Sequence, residues 1–156
     1  ISHMLVMPLA LVWMAQSAVP WAWVPRSVAW LAGLGMLSGF ALEVGRKLKA
    51  PADERPTVDS YTRSLGLRAA PIAVIVLTAG QAAVLAALLA RLGAGAGWWA
   101  GAAAVAVLPA IAAVGFLRTP TAKAAKGVEA AAGLSLLVSY VLVIAALAVT
   151  RGVVWV

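Results

Sequence analysis

One stretch of the chain, residues 43–68, carries most of the side chains that could do chemistry. It holds four of the five acidic residues and six of the twelve basic residues of the chain. Its carboxylates include Glu43, Asp53 and Glu54. Carboxylate oxygens are the ligands that Mg²⁺ takes in proteins, and a bound Mg²⁺ usually bridges to substrate phosphates. We therefore expect these three residues to be candidate metal ligands.

The basic residues of the same stretch offer the complementary chemistry. Arg46, Lys47 and Arg55 lie among the carboxylates, together with Lys49. Arginine binds phosphate oxygens through a two-pronged guanidinium, and lysine binds them as a point charge. Such a segment at the mouth of a helical bundle suits a lipid diphosphate, which is charged at one end and apolar along the rest. Arg46, Lys47 and Arg55 are our candidate diphosphate-binding residues.

Four further residues are secondary candidates. Asp59 and Tyr61 lie in the same stretch, whereas Lys126 and Glu129 lie far along the chain, where the last apolar segment begins. Residues three apart share one face of a helix, so Lys126 and Glu129 either join a site or form only a surface pair.

A plainer interpretation of the charged stretch stays open. Loops on the cytoplasmic side of a membrane are basic because topology requires it, and their acidic residues can simply pair with the basic ones. Glu43 is the exception, because it closes an apolar run near the predicted membrane boundary. An ionisable side chain at that place is a functional candidate by default.

The elements that must position these residues are membrane-spanning helices. Of the 156 residues, 64% are hydrophobic and 11% are charged, whereas a soluble domain has roughly a quarter charged residues. Five segments approach the about 20 apolar residues that cross a bilayer, and alanine and leucine favour helix in them. They are Met4–Val19, Val28–Val44, Ala69–Leu92, Trp98–Leu117 and Val128–Val149. The fold class is therefore all-α: a polytopic membrane helical bundle of about five transmembrane helices, forming one domain over residues 1–156.

The basic residues predict which way the bundle faces. Nine of the twelve basic residues lie in the connections on one side of the membrane, and three lie in the connections on the other side. This distribution is consistent with five spans that cross the membrane in alternating directions. The positive-inside rule places the larger set, with the motif loop 43–68, in the cytoplasm. The N-terminus is then inside and the C-terminus outside. The predicted outer interface collects tryptophans at positions 21, 23, 30, 98, 99 and 155.

Several classes of function are excluded or disfavoured by composition. The net charge of +7 does not indicate nucleic-acid binding, because the basic residues sit between long apolar runs rather than along one polar face. Cysteine is absent, so disulfides and thiolate chemistry are excluded, and the single His3 cannot make a zinc site alone. Gln81 and Tyr140 lie inside predicted spans, and we expect them to form hydrogen bonds between helices rather than ligand contacts.

The charged stretch resembles a known sequence motif. Glu43-x-x-Arg46-Lys47, the segment from Ala50 to Pro56 (APADERP), Val58-Asp59-Ser60-Tyr61 and Leu65-Gly66 are similar to the second motif of the UbiA-like prenyltransferase superfamily. They resemble most an uncharacterised bacterial branch of it. Further pieces of that branch are Ser2-His3-Met4 with Met7-Pro8-Leu9, and Lys126-Gly-Val-Glu129 with Ser139-Tyr140.

The resemblance implies a fold and an activity. Members of the superfamily have about nine transmembrane helices and two Asp-rich cytoplasmic motifs that bind Mg²⁺ and a prenyl diphosphate. They transfer the prenyl group to an acceptor. The position of the motif between the second and third predicted helices implies that this chain corresponds to the C-terminal half, with the N-terminal half of the same protein missing. Membrane lipid, a prenyl diphosphate and an unidentified acceptor are the expected partners, and a bacterial cytoplasmic membrane is the expected location.

Two departures from the family pattern leave an alternative open. The usual second motif is Asp-x-x-x-Asp, but here Glu43 stands at its first position and Lys47 at its second. The first Asp-rich motif belongs to helices that would precede Ile1. The alternative function is that of a non-catalytic membrane protein that binds or transports a lipid or small molecule.

Overall fold

The computed structural model describes residues 26–55 and 58–151, together with positions 6, 8–10, 12–14 and 17, which are helical. Half of the predicted first span Met4–Val19 therefore lies outside the described residues. So do His3, Pro56 of the motif, and the tryptophans at 21, 23 and 155.

The described chain is all helical, with no strand between residues 26 and 151 apart from the two undescribed positions 56 and 57. The helices are α1 (Arg26–Arg46), α2 (Tyr61–Leu65), α3 (Ala69–Arg91), α4 (Gly97–Arg118) and α5 (Ala122–Arg151). A short 3₁₀ helix, Pro51–Asp53, lies between α1 and α2. Four of these helices, α1, α3, α4 and α5, are long and apolar enough to cross a membrane. The predicted helical membrane bundle is confirmed for these four spans, and the chain is an integral membrane protein.

The boundary of the charged loop differs from the prediction. We expected the span to end at Val44 and the motif loop to cover residues 43–68, whereas α1 contains Glu43 and continues to Arg46. The residues from Glu43 to Arg46 contain no proline, and Glu43 pairs with Arg46 and Lys47, three and four residues later. Pairs at these spacings support a helical turn. The connection between α1 and α3 is therefore residues 47–68.

The four long helices form a ring. Helix α1 packs on α3 and α5, and α4 packs on the same two helices from the other side. One core cluster joins the end of α1 to the start of α3, the end of α4 and the start of α5, through Val44, Ala70, Phe116 and Val128. The other joins the opposite ends. Neighbouring helices in sequence thus run in opposite directions, and the 47–68 loop lies at the same end as the start of α5.

Large apolar side chains cover the outside of the bundle. Val76, Ile111 and Ile144 are each 64–65% exposed in the middle of their helices. Small and polar residues, by contrast, lie inside: Ser38, Thr78, Gln81, Ser135 and Ser139 are at most 1% exposed. In water such an arrangement would be unfavourable, whereas in lipid the apolar exterior carries no penalty and small residues let helices pack closely.

The buried polar groups connect three helices. Pro109 of α4 has no N–H, so the carbonyl of Val105, four residues earlier, loses its helical donor. Ser135 of α5 donates to that carbonyl at 2.8 Å. Gln81 of α3 donates to the Ser135 carbonyl at 3.1 Å and to the Ser139 hydroxyl at 2.9 Å, which confirms the expected bonding between helices. The Tyr140 hydroxyl is buried without a hydrogen-bond partner among the described residues, so the bond expected for it is not found there.

Candidate functional site

Glu43 is held by two cations at the end of α1. Its carboxylate lies 2.6 Å from the Arg46 guanidinium and 2.9 Å from the Lys47 ammonium. The hydrogen bond with Glu43 raises the pKa of Lys47, which lies just beyond the helix. Glu43 is therefore already compensated by protein charge.

A second carboxylate organises the loop. Glu54 accepts hydrogen bonds from the hydroxyls of Ser60 at 2.6 Å and Thr62 at 2.7 Å, both on the same oxygen, Oε1. These two hydrogen bonds lower the pKa of Glu54, and the bond from Ser60 has the larger effect. The other oxygen, Oε2, is buried and has no hydrogen-bond partner among the described residues. An ionised oxygen without a donor is unfavourable when buried, so Glu54 would favour a ligand that brings donors or positive charge to it.

Backbone hydrogen bonds close the loop around Glu54. The Lys49 N–H donates to the Thr62 hydroxyl at 3.0 Å, and the Tyr61 N–H donates to the Lys47 carbonyl at 3.1 Å. Ser60 caps α2 by accepting from the Arg63 N–H at 3.1 Å. Sequence reasoning missed Ser60 and Thr62. The signal for Ser60 was present, because serine favours the position just before a helix, whereas that for Thr62 was not.

A cavity of about 530 Å³ lies between the loop, the end of α1 and the start of α5. It collects four cations and three carboxylates. The cations are Arg46, Lys49, Arg55 and Lys126, and the carboxylates are Asp53, Glu54 and Glu129. Leu48, Val58 and four alanines complete its wall. The cavity is thus rich in charge, one unit positive, and partly apolar.

The cavity brings together residues that are more than 70 positions apart in the sequence. Helix α5 has 30 residues and is about 45 Å long, which exceeds the hydrocarbon thickness of about 30 Å. Its first turns can therefore stand beyond the hydrocarbon with Lys126 and Glu129. The ion pair considered between these two residues is not among the salt bridges of the described chain. Both side chains face the cavity instead.

Not every predicted site residue lines this cavity. Arg46, Asp53, Glu54, Arg55, Lys126 and Glu129 line it. Glu43 and Lys47 point elsewhere, and the Lys47 ammonium lies 5.8 Å from the centre of the Tyr61 ring, a cation–π contact. Asp59 is exposed outside the cavity. All ten predicted site residues stay predictions, and Glu43, Lys47, Asp59 and Tyr61 are the four that do not line this cavity.

The described residues contain no group of three or more His, Cys, Asp or Glu side chains arranged to hold a metal ion. Mg²⁺ does not need such a cage, because it keeps several waters and often takes one or two carboxylates plus substrate phosphate. Asp53 and Glu129 line the cavity without an ion pair in the described chain, and Glu54 has one open oxygen. One or two of these carboxylates, together with a substrate phosphate, could hold Mg²⁺, whereas Glu43 is already engaged by two cations.

Comparison with known proteins gave no match: no family model, no curated protein and no solved structure matches this chain.

Proposed function

We propose that this chain supplies the second diphosphate-binding motif of a UbiA-like membrane prenyltransferase. One observation carries the proposal: cations from the end of α1, from the loop and from the start of α5 converge on one cavity at the end of an apolar bundle. The sequence resemblance of residues 43–66 to the family motif supports the same function.

The cavity suits a lipid with a charged end. A prenyl diphosphate would place its phosphates among Arg46, Arg55 and Lys126, where charge-assisted hydrogen bonds are stronger than neutral ones. The bond between the first prenyl carbon and the diphosphate oxygen then breaks, and the electron pair leaves with the diphosphate. The cations stabilise the charge that develops on that oxygen. The acceptor forms a new bond to the prenyl carbon and loses a proton.

Mg²⁺ is part of this proposal. One or two of Asp53, Glu54 and Glu129, together with the diphosphate, would hold it. Glu43 would be available only if it released Arg46 and Lys47. When bound, the ion neutralises diphosphate charge. By the family resemblance, a first Asp-rich motif on further helices completes the site.

The location follows from the distribution of charge. The nine basic residues on the loop side against three on the other favour a cytoplasmic loop, with the N-terminus inside and the C-terminus outside. We propose a bacterial cytoplasmic membrane as the location.

A second candidate is non-catalytic binding or transport of a lipid. This function is favoured because two of the predicted metal ligands already have partners within the protein. Glu43 pairs with two cations, and Glu54 accepts hydrogen bonds from two hydroxyls.

Equilibrium binding of farnesyl diphosphate and of farnesol to the purified chain separates these functions. The prenyltransferase proposal predicts that farnesyl diphosphate binds at least roughly tenfold more tightly than farnesol, which corresponds to about 1.4 kcal/mol. It also predicts that Mg²⁺ strengthens binding relative to EDTA. Tighter binding of farnesyl diphosphate than of farnesol, with the same affinity in Mg²⁺ and in EDTA, would favour the binding or transport function. Equal binding of both ligands would contradict both interpretations of the cavity.

A further inference from the structure

A second and more open cavity, of about 360 Å³, adjoins the first at the loop. Lys49, Glu54 and Arg55 line both cavities. Arg63 and Leu67 line only the second. The second cavity therefore shares part of its lining with the first and also has its own charged residue and its own apolar residue.

The second cavity is more strongly cationic than the first. Three basic residues, Lys49, Arg55 and Arg63, face one carboxylate, Glu54. One oxygen of that carboxylate already accepts hydrogen bonds from Ser60 and Thr62. The surplus positive charge fits an anion rather than a cation or a neutral molecule.

The surroundings of this cavity place it at the edge of the bilayer. Leu65 is 50% exposed and Leu67 is 39% exposed, immediately before the membrane-spanning helix α3 begins at Ala69. Along α3, Ile72 and Val76 are exposed at a spacing of four residues. Arg68 is four residues before Ile72, so it continues the same lipid-facing stripe at the level where headgroups lie.

We propose that this second cavity binds the phosphate headgroup of an anionic phospholipid from the adjacent leaflet. Arg63 and Lys49 contact the phosphate, Arg68 lies at the entrance, and the acyl chains run along Ile72 and Val76. Basic pockets at the ends of membrane helices attract anionic headgroups, and juxtamembrane arginines add to that attraction. The inference does not depend on the proposed prenyl transfer. Lys49 lines both cavities, but Arg63 and Arg68, the residues that the test changes, lie outside the first cavity.

The test compares lipid selectivity of the full chain reconstituted in bilayers. Electron paramagnetic resonance measures the fraction of spin-labelled phosphatidylglycerol and of spin-labelled phosphatidylcholine that is immobilised by the protein. The wild type is expected to prefer phosphatidylglycerol, and Arg63→Gln/Arg68→Gln is expected to lose most of that preference, roughly fivefold per cation. The control, Arg118→Gln/Lys123→Gln, removes two charges from the same end of the bundle and is expected to keep it.

Three results would overturn the proposal. They are an unchanged preference in Arg63→Gln/Arg68→Gln, an equal loss in the control variant, or full displacement of phosphatidylglycerol by inorganic phosphate at constant ionic strength. The last result would identify a site for free phosphate. Circular dichroism checks helix content. Should the double variant not fold, Arg68→Gln alone, at an exposed position, is expected to lose part of the preference, and no loss there would equally overturn the proposal.

Discussion

Glu43 and Glu54 show how the same side-chain type takes different roles through its neighbours. Glu43 is compensated by two cations on its own helix, which makes it a fixed part of the end of α1. Glu54 is bound by two neutral hydroxyls and keeps its negative charge facing both cavities. A hydroxyl donor stabilises a carboxylate without neutralising it. Of the two, Glu54 is therefore better placed to act on a ligand.

The loop depends on Glu54 being ionised. The pKa of Glu54 is lowered from its ordinary value of 4.5 in the folded protein. A group with a depressed folded pKa stabilises the structure fully above its unfolded pKa, and this contribution is lost as the pH falls through the folded value. We therefore expect the loop to be ordered at neutral pH and to loosen only below about pH 4.5.

Replacing Glu54 tests this dependence at neutral pH. In Glu54→Ala, the amides of Lys49 and Arg63 should exchange with deuterium roughly tenfold faster, because Ser60 and Thr62 lose the acceptor that positions them. The matched control is Asp59→Ala, which removes an exposed carboxylate from the same loop. Equal protection of these two amides in wild type and Glu54→Ala would show that Glu54 does not organise the loop.

Among the long helices, α4 and α5 are joined by a bond that compensates for a proline. Pro109 removes the donor to the Val105 carbonyl, and Ser135 replaces it from the neighbouring helix. A carbonyl without a donor is costly in a membrane interior, where no water substitutes. The proline and the serine are thus coupled through one carbonyl oxygen.

A double-mutant cycle tests this coupling. Ser135→Ala should destabilise the bundle by about 0.6–1.7 kcal/mol in the wild-type background. In a Pro109→Ala background the cost should fall by at least about 0.5 kcal/mol, because the backbone N–H of the substituted alanine supplies the missing donor. Reversible unfolding in mixed detergent measures both values. Strictly additive costs would mean that the Ser135 hydroxyl does not serve this carbonyl.

Some of these elements were predictable from sequence and others were not. Long Ala/Leu-rich runs such as Ala69–Leu92 predicted the spans because length and hydropathy are local properties. The predicted end of α1 was too early. The charge of Glu43 was taken as a sign that the helix ends, and the ion pairs of Glu43, which support a further helical turn, were not considered. Lys126 and Glu129 lie close to the loop because of the way in which α1 and α5 pack. No local sequence pattern predicts that packing. The link from Ser135 to Val105 was missed for the same reason.

At the scale of the whole molecule, the two ends of the bundle differ in chemistry. The loop end carries the charged cavities. At the other end, Trp30 and Trp98 pack against the second core cluster, and Arg91 lies 5.1 Å from the Trp30 ring. Aromatic side chains favour membrane interfaces, so this end forms a tryptophan-rich interface opposite the loop.

Cysteine labelling tests the proposed orientation, and the natural chain contains no cysteine that would interfere. Asp59→Cys in the loop and Gly95→Cys between α3 and α4 place one thiol at each end of the bundle. In intact bacterial cells, a membrane-impermeant maleimide should label Gly95→Cys and not Asp59→Cys, and inverted vesicles should give the reverse. The opposite pattern would place the loop outside and remove the cavity from cytoplasmic substrates.

In the proposed function, cations from α1 and α5 bind one diphosphate together. The most direct test is farnesyl diphosphate binding to wild type, Arg46→Gln, Lys126→Gln and the double variant, with Lys123→Gln as a control about one turn away on α5. We predict that each single change weakens binding roughly tenfold or more, since each removes a charge-assisted contact, while the control stays within about twofold. We also predict that the two single losses are not independent, because both residues serve one ligand group. Unchanged binding in the double variant, or an equal loss in Lys123→Gln, would contradict the claim that this cavity holds the diphosphate.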